Sequence, residues 1–125
     1  MTPPKPTTSE LSILSVLWKQ GPSTVREVHT ALSVEQEMGY TTVLKFLQIM
    51  YKKGLVTRDS SSMAHVYDSV YGKTDVQQGL VKNLMDGVFE GSVKSLMLSA
   101  LSIDTSTPEE LEEIKSIIEK MERKS

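Results

Sequence analysis

The 125-residue chain has no cysteine, two histidines and few aromatic side chains, with one Trp, four Tyr and two Phe. Without thiols there are no disulfides and no thiolate metal site, and a cytoplasmic location is expected. The two histidines, His29 and His65, lie in neither HxxxH nor HExxH spacing, so a metal role is not expected for either. No apolar run approaches the roughly 20 residues that cross a bilayer, so no membrane partner is expected. The opening MTPPKPTTSE lacks an apolar core and is expected not to be a secretory signal. Glycines form neither GxGxxG nor a GK[ST] loop. Ser60, Ser61 and Ser62 near His65 and Asp68 read as a polar hairpin tip, since nothing resembles a nucleophile elbow. The carboxylates between Glu109 and Glu113 complement a helix dipole. No enzyme reading survives, and no cofactor is implied.

Excess positive charge is also missing, because the net charge is -2. That counts against a nucleic-acid partner until the chain is divided. Residues 1–74 hold eight Lys or Arg against six Asp or Glu, a net of +2, whereas 75–125 hold six against ten, a net of -4. Only the front half is a plausible phosphate partner.

What is present is helical punctuation. Residues 1–8 read as a disordered Pro- and Lys-rich arm. Thr7 with Glu10, and Thr24 with Glu27, have capping-box spacing, and Gly21-Pro22 separates the two helices they open. Thr41-Thr42 is read as the opening of a third helix and Gly54 as its close. Along it Val43, Leu44, Leu47, Met50 and Tyr51 form one apolar stripe at about 100° per residue. The opposite face carries Thr42, Lys45, Ile49, Lys52 and Lys53, bordered by Phe46 and Gln48. Such a face is either a solvated side of a core helix or a reader of the DNA major groove, where Lys, Gln and small apolar groups have matching base-edge partners. Leu55–Arg58 and Ala64–Tyr67, parted by Asp59–Met63, read as a hairpin. Three short helices and a hairpin are the order of a winged helix-turn-helix, placed at 9–72.

Residues 73–125 read as three more helices: one capped by Thr74 with Gln77, a second after Gly91-Ser92, and a third opened by Thr107-Pro108-Glu109-Glu110. About 50 residues bury too little to be stable alone. The stripes through Leu80, Leu84, Val88, Leu96, Leu101, Leu111, Ile114, Ile118 and Met121 are therefore expected to meet a second copy, making a homodimer. The bland alternative is a bundle folded back on its own domain. The fold class is mainly α with a small β-hairpin, a winged helix followed by a three-helix dimerisation region.

The segments Glu10-Leu11, Ile13-Leu14, Val16-Leu17-Trp18, Gly21-Pro22, Val25-Arg26-Glu27-Val28, Tyr40-Thr41-Thr42-Val43, Lys53-Gly54-Leu55-Val56 and Ala64-His65-Val66-Tyr67 resemble, collinearly, the penicillinase and methicillin-resistance repressors of BlaI/MecI/CopY type. The resemblance implies a dimer that binds a palindromic double-stranded operator and represses transcription. Thr41 would cap the recognition helix and its neighbours meet phosphate, Thr42, Lys45, Phe46 and Ile49 would face bases, and Gln48 would reach the groove edge. Lys52, Lys53, Arg58 and Ser62 would hold the backbone. Three departures stand out. Ile49 and Met63 occupy positions where such repressors often carry Arg, and Ser99-Ala100 stands at the Asn–Phe bond cleaved in the antibiotic-response members, so a sensor protease is in doubt. The cysteine cluster of the copper-responsive members is absent. The alternative reading is a winged-helix protein-interaction module without sequence-specific DNA binding, supported by the overall charge and the missing cations.

Overall fold

The computed structural model describes residues 3–103 and 106–125. Its elements run α1 (Thr8–Gln20), β1 (Ser23–Thr24), α2 (Val25–Leu32), α3 (Tyr40–Lys53), β2 (Val56–Asp59), β3 (Val66–Ser69), α4 (Lys73–Val88), α5 (Val93–Ile103) and α6 (Pro108–Lys124).

Both capping boxes form. The Thr7 hydroxyl accepts from Glu10 N while Glu10 accepts from Thr7 N, and Thr24 and Glu27 do the same at α2. The Pro-rich segment leading into α1 is packed in part: Pro6 is buried, and the Lys5 carbonyl accepts from Lys53 Nζ at 3.3 Å. The start of α3 corrects the expectation for Thr41. Gly39, with extended backbone, is the cap residue, its carbonyl accepts from Val43 N, and no side chain caps the helix. Thr41 lies one residue inside the first helical position, where its hydroxyl is left free of that duty. The far end is as expected: Gly54 takes the left-handed conformation at φ 82°, and Leu55 N reaches back to Met50 O.

That closure explains why β2 starts one residue later than the periodicity implies. Leu55 spends its N–H on the end of α3 and its side chain in the core. Val56 is the first ladder residue, paired with Ser69, and Asp59 pairs with Val66, so Ala64 and His65 belong to the exposed turn. The sheet has a third strand. β1 pairs with β3 through Ser23↔Tyr67 and Thr24↔Val66, giving the order β1-β3-β2.

Helices α1, α2 and α3 pack around Ile13, Leu14, Leu17, Val25, Val28, Leu32, Val43, Leu47 and Met50, joined by Leu55, Val56 and Tyr67 from the sheet side. Each large aliphatic group fully removed from water contributes about 1.5–3 kcal/mol before the cost of ordering it. The Trp18 indole N–H donates to Tyr71 O at 3.0 Å, which fastens α1 to the segment after β3. Together these elements make a winged helix.

The first compact unit runs to Lys82 and includes the opening turns of α4. Here the cap expected from Thr74 is corrected: α4 begins at Lys73, its first turn closes on the Gly72 carbonyl, and Thr74 lies within the helix. Val76 is buried and Leu80 half-buried. In the second unit, α4 ends at Val88, Glu90 and Gly91 just beyond it both have positive φ, and the Thr107 hydroxyl accepts from Glu110 N to cap α6, with Pro108 following. Among the described residues no helix is long and apolar enough to cross a membrane.

Candidate nucleic-acid interface

Helix α3 divides its side chains cleanly. Val43, Leu47 and Met50 point into the core, and Leu44 packs at its edge. Tyr51, expected in the same stripe, is instead 41% exposed, because the Arg58 guanidinium from β2 lies over its ring at 4.3 Å and takes the place of core contacts. On the outer side Thr41, Thr42, Lys45, Phe46 and Ile49 line one shallow hollow. Four of these five are exposed, and Phe46 is held half-buried against the core. The hollow has an apolar floor with a hydroxyl pair at one end and an ammonium at its side. That mixture can face the edges of bases, where methyl groups alternate with acceptors.

The remaining candidates are distributed around this helix. Gln48 and Arg58 lie on another flank, in a groove that also takes in Tyr40, Arg26 and His65. Lys52 is exposed on the last turn, and Ser62 is exposed at the hairpin tip next to the fully exposed Met63. Asp59 turns its carboxylate back to Ser61, which holds its pKa below the ordinary carboxylate range and shapes the turn.

Lys53 is placed differently from the other cations. Its ammonium is 2.7 Å from Glu10 Oε1, and Glu10 is 2% exposed. Burial pushes the Glu10 carboxyl pKa up, but the Lys53 hydrogen bond and charge, with the Thr7 contacts, outweigh it, and the carboxyl sits below its usual range. Lys53 therefore secures α3 against α1. A pairing between residues 43 positions apart has no local sequence signal. Arg26 was also missed, because it sits on α2 while its groove is shared by β1, α2, α3 and the β2–β3 hairpin. His29 meets Tyr40 edge-to-face at 5.9 Å, a packing role that steadies the start of α3.

In the second unit Leu84, Val88, Leu101, Leu111, Ile118 and Met121 are exposed, and Leu96 and Ile114 are half-buried. Ser99 and Ala100 lie within α5.

Comparison with known proteins follows the same outline. The Mycobacterium tuberculosis transcriptional regulator BlaI is 40% identical over 73 residues, 58% of this chain and 53% of that protein, so the chain spans about half the length of that relative. A Staphylococcus aureus penicillinase repressor is 21% identical over 116 residues, 93% of this chain and 92% of its own. The solution structure of monomeric Bacillus licheniformis BlaI bound to the blaP half-operator superposes with a TM-score of 0.51 at 25% identity, over 58% of this chain and 88% of that one. The sequence pattern of the penicillinase repressor family matches residues 6–120. With that span, the chain belongs to the penicillinase repressor family.

Proposed function

We propose that the protein is a dimeric transcriptional repressor that recognises a palindromic operator through α3 and the β2–β3 wing. The observation that carries this reading is the hollow on α3, where Thr41, Thr42, Lys45, Phe46 and Ile49 converge on the side opposite the core. Thr42, Lys45, Phe46 and Ile49 face bases, Thr41 meets phosphate at the helix start, and Gln48 reaches the groove edge. Lys52, Arg58 and Ser62 hold the DNA backbone, while Lys53 braces the helix from behind. That the Bacillus licheniformis relative forms a complex with an operator half-site supports DNA as the partner.

Residues 9–72 form the DNA-binding part and 73–125 the dimerisation part. The apolar side chains left exposed on α4, α5 and α6 support a second copy as their cover. On α6 Leu111, Ile114, Ile118 and Met121 follow the alternating three- and four-residue spacing of a helix–helix seam. Pairing presents two copies of α3 to two half-sites, which matches protein two-fold symmetry to operator dyad.

Fluorescence anisotropy with duplexes from the protein's own upstream region, titrated over salt, tests the reading. Steep salt dependence and a large preference for a dyad over a scrambled duplex are expected. Equal, salt-insensitive binding to both would favour the second reading, a protein-interaction module. The net charge of -2 and the uncharged Ile49 and Met63 lend that reading its support.

A further inference from the structure

We propose that the groove between the first turn of α2, the flank of α3 and the wing is a phosphate-binding channel. In it Arg26 and Arg58 grip the backbone of the DNA strand beside the major groove that α3 enters. This rests on the reading of the chain as a DNA-binding repressor and adds to it a contact surface whose key residue, Arg26, lies outside the recognition helix and the wing.

Charge is segregated here against the trend of the chain. Acidic residues outnumber basic ones 16 to 14 overall, yet the groove holds two arginines and His65 with no carboxylate in its lining. The carboxylates nearest in sequence are both turned away to backbone donors. Glu27, next to Arg26, accepts from Thr24 N at 2.9 Å, and Asp59, next to Arg58, accepts from Ser61 N at 2.9 Å. Among the described residues neither arginine has an ion-pair partner. Two guanidiniums are thus held in one groove with their natural neutralisers engaged elsewhere. Arg58 is further fixed by lying over the Tyr51 ring at 4.3 Å, which lowers the entropy lost when it meets an anion.

The groove runs along α3 on the side that carries Gln48, so a duplex with α3 in its major groove brings a strand to it. A planar guanidinium donates two parallel N–H groups to phosphate oxygens. Such contacts hold register without reading sequence, so their loss is felt equally on any duplex. Lys45 in the α3 hollow faces bases, so Arg26 adds a third cation to Lys52 and Arg58 on the DNA backbone.

The test is anisotropy on the full chain with an upstream-region dyad and a scrambled duplex of equal length, from low to moderate salt, using Arg26→Gln, Arg58→Gln and the double variant. Arg26 is exposed on a helix whose capping box it does not join, so Arg26→Gln is expected to melt as wild type does. Each single change is expected to weaken both duplexes by a similar factor, roughly five- to tenfold near 0.1 M salt, and to reduce the salt slope by about 1; the double change reduces it by about 2. Arg26→Lys restores the slope. The inference is overturned if wild type binds DNA and Arg26→Gln binds both duplexes with unchanged affinity and slope, or if it weakens the dyad alone. Wild type that ignores both duplexes overturns the repressor reading itself, and the channel with it.

Discussion

Lys53 Nζ and Glu10 Oε1 lie 2.7 Å apart, joining the last turn of α3 to the first turn of α1. The Glu10 carboxylate is also one half of the box that caps α1. One buried anion therefore holds the start of one helix and the end of another.

Lys53→Ala is expected to destabilise the protein by about 1–3 kcal/mol in urea unfolding, since it leaves a buried acceptor without its charged donor. The same variant should keep the wild-type salt slope on DNA. A lowered slope with unchanged stability would return Lys53 to the phosphate contacts.

The Glu10 carboxyl has its pKa below the ordinary value of 4.5 in the folded state. Its contribution to stability is therefore complete above that value and disappears as the pH falls through the lower folded value. Between pH 7 and 3 the wild type should lose stability more steeply than Glu10→Gln. Parallel pH profiles for the two would refute the assignment.

Gly54 sits at φ 82° at the close of α3, in a conformation that costs a side-chain-bearing residue roughly 1–2 kcal/mol. Open space surrounds the position, so Gly54→Ala carries that backbone cost without a clash. Thermal unfolding should shift down accordingly, and a Tm at or above wild type would contradict the geometry.

Lys45 stands at the side of the α3 hollow. Lys45→Ala is expected to lower dyad affinity by about 1–3 kcal/mol while scarcely changing affinity for scrambled duplex, the mark of a base contact. Equal losses on both duplexes would move Lys45 to the phosphates.

Ile118 is exposed in the middle of the α6 seam. Ile118→Glu should sediment as single chains and lose dyad affinity by on the order of a hundredfold or more, because the second half-site no longer binds at high local concentration. A stable dimer in that variant would relocate the interface.

Local chemistry was legible in the sequence and remote pairing was not. Capping boxes at Thr7–Glu10 and Thr24–Glu27 span three residues, so spacing alone reveals them. The same habit misled at Thr41 and Thr74, where backbone carbonyls of Gly39 and Gly72 close the first turn and the hydroxyls are not needed. Thr42, Lys45, Phe46 and Ile49 of the α3 hollow were legible from the 3.6-residue period because they share one helix, whereas Thr41 was expected only as its cap. β1 escaped notice because a strand of two residues carries no alternation, and its partner β3 lies beyond two helices and another strand. Arg26 and Arg58 come together only in three dimensions, as do Lys53 and Glu10.

Thr24 has two employments: it closes the edge ladder opposite Val66, and it caps α2. No flexible joint separates the turn end of the hairpin, where Val66 also faces Asp59, from the helix that lies beside α3. A duplex that pushes on the wing tip must therefore tilt α2 along with it, so the hairpin behaves as an outrigger bolted to the hull, and bending of the DNA at its flank would be transmitted straight to the reading head.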